Sequence, residues 1–311
     1  MFCELNQIKT KDGLRFEGLV FEPARKTKTI AIWLNGLGGR FSSNPPLIHA
    51  VAGELARKRI SFATLDNRGF GDINSLSVKN GSTRSPQGGK KSIRKYFGTS
   101  FEKFEDSVLD IGAMIRFCRK RGYKKIFLFG HSTGANKSAY YILKKHGRGL
   151  AGVGLLGPIS DIPAIKKELG RKYKKALETA GKMIKRGKGN ELLPMTMTND
   201  KFYTAARFWS IAREGANEDT FPYYGSTKLT TGDRKRKFRW AKKVRLPILV
   251  LVGSKEQHAD RPVPEIMEAF RRQIPAKYFS GKIIKGADHG FRKKEKELGR
   301  EMAKWILFVS R

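Results

Sequence analysis

One ten-residue stretch limits what this chain can fold into more than any other: IFLFGHSTGA, residues 126–135. Four apolar residues of strand character run directly into a weak helical repeat at Ala135, Ala139, Ile142 and Leu143. A strand that becomes a helix within a few residues needs a sharp corner. Side chains on either side of Ser132 would collide there with strand and helix, and Gly130 and Gly134 remove that conflict. The corner lifts the serine hydroxyl above the strand end and aims the N-terminus of the next helix at it, which favours negative charge at that point. Gly-x-Ser-x-Gly in a strand–turn–helix setting is the pattern of a nucleophilic serine.

Strand and helix signals alternate along most of the 311 residues, which predicts an α/β fold with a largely parallel sheet. Residues 1–22 read as an antiparallel hairpin turning at KDG. The runs 29–34, 61–65, 126–129, 150–156, 247–252 and 281–286 are short and apolar, as expected of strands covered on both faces. Phe101, Phe104, Val108, Ile111, Ile115 and Cys118 mark one stripe of a helix, and Leu298, Met302, Trp305, Ile306 and Val309 mark another. Residues 67–99, rich in Gly, Ser and Lys, read as a long loop. Residues 159–246 separate two core strands and carry basic helical patches around Phe202, Tyr203, Phe208, Trp209, Phe221, Tyr223 and Tyr224. A connection of that length needs structure of its own. The expected organisation is a core of 1–158 and 247–311 with 159–246 inserted as a mainly helical cap, whose aromatics either shape an apolar pocket or form the cap's own core.

A serine is a weak nucleophile until a base takes its proton, and the base needs an orienting group. Of the five histidines, His289 in KGADHGF stands just past the last core strand, at the sheet edge where sites of open α/β folds collect. His131 adjoins the serine but its ring cannot easily face the hydroxyl. His49 falls in the first helical region, His146 at a basic helix end and His258 after the penultimate strand. The acid belongs between serine and histidine in chain order. Glu256, three residues beyond Gly253, is the first choice, Asp260 the second and Asp161 of GPISD the third. Donors for a developing oxyanion would come from WLNGLGGR (33–40), whose glycines let backbone N–H groups approach closely. By position these are the N–H groups of Leu37 and Thr133. NGLGGR lacks the Lys-Ser/Thr ending of a phosphate-binding loop and the dinucleotide-binding spacing. No metal or organic cofactor is expected.

The charge is extreme: 64 Lys and Arg against 28 Asp and Glu, a formal +36. Such a field draws polyanions, anionic membrane surfaces and acidic substrates, or simply reflects a host with basic proteins. Two cysteines, Cys3 and Cys118, make neither a disulfide framework nor a metal site. The N-terminal MFCELNQIKTKDG is too polar for a signal peptide, and no apolar run is long enough to span a bilayer. A soluble cytoplasmic protein is the expectation.

Asn35-Gly36-Leu37-Gly38-Gly39, Asp66-x-Arg68-Gly69-x-Gly71, Gly130-His131-Ser132-Thr133-Gly134, Gly253-x-x-Glu256 and Asp288-His289, in this order, resemble the α/β-hydrolase superfamily. The match spans nearly the whole chain apart from residues 159–246. It implies an eight-stranded, mostly parallel sheet and a serine–histidine–acid triad of Ser132, His289 and Glu256. Two departures stand out: Asn35 where many relatives have His, and Glu256 where Asp is usual. GPISD and residues 204–225 are similar to a branch that includes hydrolases of ester-linked siderophores. The implied activity is a serine carboxylesterase acting on a small-molecule ester, anionic or aromatic in character. Thioesterase, lactonase and peptidase chemistry use the same triad. A different class, a nucleic-acid-binding module on an inactive hydrolase scaffold, would use the cap's clustered charges and aromatics, and anionic membrane attachment would use the same basic surface.

Overall fold

A computed structural model describes residues 1–84, 90–224 and 237–310. The chain opens with a hairpin of β1 (Phe2–Lys9) and β2 (Arg15–Glu22), then enters β3 (Thr29–Leu34), α1 (Pro45–Ala56) and β4 (Ser61–Leu65). A second hairpin, β5 (Asn74–Arg84) and β6 (Lys90–Phe97), precedes α2 (Ser107–Lys120), β7 (Lys125–His131), α3 (Thr133–Lys145) and β8 (Gly152–Leu156). Helices α4 (Asp161–Leu169), α5 (Lys172–Lys185) and α6 (Ala205–Ala212) lead on to β9 (Ile248–Gly253), α7 (Val263–Gln273), β10 (Phe279–Ile284) and α8 (Glu295–Val309).

Eight strands form one sheet in the order β1-β2-β4-β3-β7-β8-β9-β10. β2 runs antiparallel to both neighbours, and every pair from β4 to β10 is parallel. This is the α/β-hydrolase architecture expected from the sequence. Successive residues of β7 show why its apolar run is continuous. Ile126 and Leu128 pack in a cluster with residues of α2, α3 and α7, whereas Phe127 and Phe129 pack against α1 and α8. The chain leaves β3 toward β4 on one side and later returns to β7 on the other. Leu34 lies opposite Gly130 in that pairing. The ends of β3 and β7 therefore flank a topological switch point, where open sheets present a crevice.

Two expectations are corrected. Residues 67–99 are not one long loop, because 74–84 and 90–97 pair as a two-stranded antiparallel sheet. Their period-two signal is faint because only Leu76, Val78 and Phe97 of the described side chains pack on the core. The aromatics of 159–246 also divide in two. Phe208 joins Leu169, Ala176, Ala180 and Ile211 in a separate cluster built by α4, α5 and α6. Phe221 and Tyr223, with Phe238 and Trp240, belong instead to the main sheet core and pack on Phe270 of α7.

A buried ionic cluster ties α6 to the core. Lys137 of α3 lies 2.5 Å from Glu102 and donates to Asn67 at 2.8 Å, with the Lys137 and Glu102 side chains both at or below 1% exposure. Arg207 of α6 stands 3.9 Å from the same Glu102, forms a two-pronged pair with Glu218, and donates to the Thr99 carbonyl. Two cations against two carboxylates leave this cluster neutral, the condition under which burying it is tolerable. The Lys137 and Arg207 cations hold the Glu102 carboxyl below its ordinary range against the effect of burial. Glu102→Gln is expected to lower the unfolding free energy by about 3–5 kcal/mol, because it leaves Lys137 and Arg207 with one counter-charge between them. Urea denaturation reads this directly. Glu102→Leu with Lys137→Met should lose less than the sum of the two single changes.

Candidate active site

Ser132 sits at φ 55°, ψ −127°, between β7 and α3. A non-glycine residue held there costs about 1–3 kcal/mol, and it persists because its surroundings leave no alternative. A Cβ on Gly130 would lie 2.1 Å from the Gly134 carbonyl oxygen, and one on Gly134 would lie 2.2 Å from that of Leu34. The serine N–H donates to the Leu156 carbonyl at the end of β8. The elbow is thus clamped by glycine contacts and by one neighbouring strand.

The Gly-rich loop after β3 presses on the elbow directly. A Cβ on Gly36 would meet the Ser132 Cβ at 2.8 Å and the Thr133 nitrogen at 3.3 Å. The N–H groups of Leu37 and Thr133 donate to no protein acceptor among the described residues. Thr133 opens α3, where an N–H has no partner within the helix. The segment 66–71 fixes this loop from behind. Asp66 accepts the Phe41 N–H at 2.8 Å, and Gly71 donates to the Gly38 carbonyl at 2.8 Å. Arg68 anchors that segment, its buried guanidinium paired with Asp110 at 2.7 Å, Asp106 at 3.1 Å and Asp12 at 3.2 Å.

His289 lies in the turn after β10 with its Nδ1 2.8 Å from the Glu256 Oε2. Against a carboxylate oxygen Nδ1 is the donor, which leaves Nε2 as the basic nitrogen. Glu256 is buried, and its other oxygen accepts the His258 N–H at 3.1 Å. The main chain of His289 is held at both ends. Its N–H donates to Gln257 Oε1 at 3.0 Å, and its carbonyl accepts from His131 Nε2 at 2.8 Å. Gly157, at φ +55°, leaves the space above β8 for this pair, since a Cβ there would lie 3.1 Å from Nδ1 and 3.5 Å from Glu256 Oε2.

Of the three acids weighed from the sequence, the structure brings Glu256 to His289. Asp260 pairs with Arg261 at 2.8 Å. Asp161 opens α4, and burial together with the Glu218 carboxylate pushes its pKa up to about 7, a poor match for a standing negative charge. Sequence reasoning missed the roles of His131, Gln257, His258 and Gly157. The His131 ring stacks on Trp33 with centroids 5.5 Å apart and lies 5.0 Å from the His289 ring. Burial and the neighbouring His289 push its pKa down to about 4, so it stays uncharged beside His289 at neutral pH. His258 meets His289 edge-on at 4.8 Å. Only the clustering of two of these histidines near the two motif ends could have hinted at this.

Ser132 and His289 line one groove of about 280 Å³, whose far wall is the 35–40 loop and the start of α1. None of the seven cap aromatics lines it. A separate cavity of about 370 Å³ lies between residues 101–105 and α6, with Trp209 and Arg213 in its wall. Among the described residues no group of three or more His, Cys, Asp or Glu is arranged to hold a metal ion, and no helix is long and apolar enough to cross a membrane. The arrangement supplies a hydroxyl on a strained corner, an imidazole oriented by a carboxylate, and two unpaired N–H donors. These are the parts that acyl transfer requires.

Several solved structures share this fold. A siderophore hydrolase from Aspergillus fumigatus is 16% identical, with a TM-score of 0.66 and 98% of each chain covered. An esterase from Butyrivibrio proteoclasticus with ferulic acid bound is 16% identical, with a TM-score of 0.63 over 98% of this chain and 99% of that one. A monoglyceride lipase variant from Saccharomyces cerevisiae is 15% identical, with a TM-score of 0.61 over 97% and 94%. Identity this low speaks for the shared fold. No significant match is found among curated proteins. A family model matches residues 94–309, from β6 to the end of α8. The chain belongs to that family, described as "Protein of unknown function (DUF1749)", and it has the α/β-hydrolase fold.

Proposed function

We propose that this protein is a serine carboxylic-ester hydrolase. The observation that carries the reading is the meeting, in one groove, of Ser132 on its strained corner and the 2.8 Å His289–Glu256 pair. His289 Nε2 takes the hydroxyl proton as the Ser132 oxygen attacks the ester carbonyl carbon. The N–H groups of Leu37 and Thr133 hold the resulting oxyanion, and Glu256 stabilises the imidazolium. The imidazolium then gives its proton to the leaving alkoxide, the alcohol departs, and an acyl-enzyme remains. Water, deprotonated by His289, attacks that acyl group and releases the acid and Ser132. The chemistry asks for no metal and no organic cofactor. Helices α4, α5 and α6, with their own apolar cluster, act as a cap on this core, fixed to it through Arg207, Glu102 and Lys137. The substrate is a small-molecule ester, in keeping with the esterases and lipase that share the fold.

Wild-type protein is expected to hydrolyse p-nitrophenyl acetate and butyrate and to be labelled at Ser132 by a fluorophosphonate, the adduct located by mass spectrometry. Ser132→Ala should lose the label and at least about 10³-fold in kcat/KM. Absence of both turnover and label in the wild type would overturn the reading. Glu256→Gln should cost about 10²–10⁴-fold in kcat, since it removes the charge that orients and stabilises the imidazolium. Asp260→Asn should stay within about threefold of wild type, the outcome that separates the two carboxylates kinetically.

A further inference from the structure

The groove beside Ser132 has an unbalanced inventory of polar groups. Arg40, whose side chain ends in a guanidinium, is among the residues of its wall, and no carboxylate lines it. That guanidinium lies over the Phe70 ring, 4.9 Å from its centroid, and its Nε is 3.7 Å from Asp66, beyond hydrogen-bonding distance. Asp66 already accepts the Phe41 N–H, and burial raises its pKa, which weakens it as a counter-charge. Arg40 therefore keeps one loose ion pair, with Asp66, while half of its side chain stays exposed. Asn35, which is 7% exposed, adds an unused donor to the same wall. Its Oδ1 accepts from Trp33 Nε1 at 3.0 Å, while its Nδ2 has no partner. The nearby side-chain acceptors are already occupied. Asn44 Oδ1 takes the Leu47 N–H, and Ser43 Oγ takes the Arg40 N–H.

A surface with donors to spare and few free acceptors is complementary to an acceptor-rich, negatively charged ligand. A half-exposed guanidinium packed over an aromatic ring and only loosely paired suits the planar fork of a carboxylate. The protein's +36 field would raise the local concentration of any anion, but a field selects no position on a substrate. Arg40 does. We infer that the preferred substrate is an ester carrying a carboxylate within reach of Arg40, which acts as its specificity residue. The inference rests on the proposed ester-hydrolase reading of the groove.

The test compares p-nitrophenyl monoesters of succinate, glutarate and adipate with neutral p-nitrophenyl esters of matching length, at 0.05 and 0.5 M salt. A second arm places the charge on the alcohol side, 4-acetoxybenzoate against its methyl ester. At least one anionic ester should exceed its neutral partner by roughly tenfold in kcat/KM, the scale of one charge-assisted contact at a partly exposed site. Arg40→Gln should remove most of that ratio, Arg40→Lys should keep part of it, and Lys185→Gln, on the exposed face of α5, should keep all of it. A wild-type ratio near one on both arms overturns the inference, as does a ratio that Arg40→Gln leaves intact. Calorimetric binding of the preferred monoester to Ser132→Ala, with and without Arg40→Gln, judges Arg40 apart from chemistry. Absent turnover and labelling with Arg40-dependent binding would sink the esterase reading alone. Binding indifferent to Arg40 sinks this one.

Discussion

The turn at Ser132 is the constraint on which the rest of the site depends. Its backbone, at φ 55° and ψ −127°, is tolerable only while the residues around it have no room to relax. Gly130, Gly134 and Gly36 each touch a neighbouring backbone or the serine itself so closely that any side chain would force them apart. These contacts tie β3, β7 and α3 into one corner at the switch point of the sheet. The same packing that stores the strain draws the Leu37 loop to within reach of the serine. Ser132 and the Leu37 loop are therefore a single packing solution rather than two features side by side.

The basic surface follows from how the few acids are used. Only 28 carboxylate residues face 64 cations, yet among the described residues six of those acids are buried: Glu54, Asp66, Glu102, Asp110, Glu218 and Glu256. Asp66 and Asp110 hold the 66–71 segment that backs the oxyanion loop. Glu102 and Glu218 fasten α6, and Glu256 orients His289. Carboxylates are thus placed where a buried cation, a backbone N–H or an imidazole requires one. The surface is left with the excess of Lys and Arg, and the groove beside Ser132 with an arginine and no acid.

Much of this was readable from the chain. The Ser132 turn, the 35–40 loop, His289 and Glu256 belong to short motifs tied to strand ends, so a pattern in sequence maps onto a place in the fold. The parallel core strands were legible for the same reason, being continuous apolar runs. What sequence could not give was contact between distant segments. Gly157 looks like an ordinary loop glycine until His289, 132 residues later, is found 3.1 Å from where its Cβ would be. The β5–β6 hairpin lacks a strongly apolar face and so hid in a polar stretch. The cap aromatics gave a count but no partners, and Phe221 and Tyr223 turned out to serve the sheet core rather than the groove.

The placement of His289 depends on a few polar contacts at strand ends. The imidazole is fixed by Glu256 at Nδ1, while the backbone of the same residue is fixed by Gln257 at its N–H and by His131 at its carbonyl. The three holding groups come from the end of β7 and the turn after β9, and Gly157 after β8 clears their space. The geometry thus resides in the relative placement of strand ends, which the sheet hydrogen bonds set. Side chains in the layers between strands and helices can change as long as volume and apolar character are kept. The glycines of the Ser132 turn sit in recognisable motifs, whereas Gly157 and Gln257 enter through contacts that no motif announces.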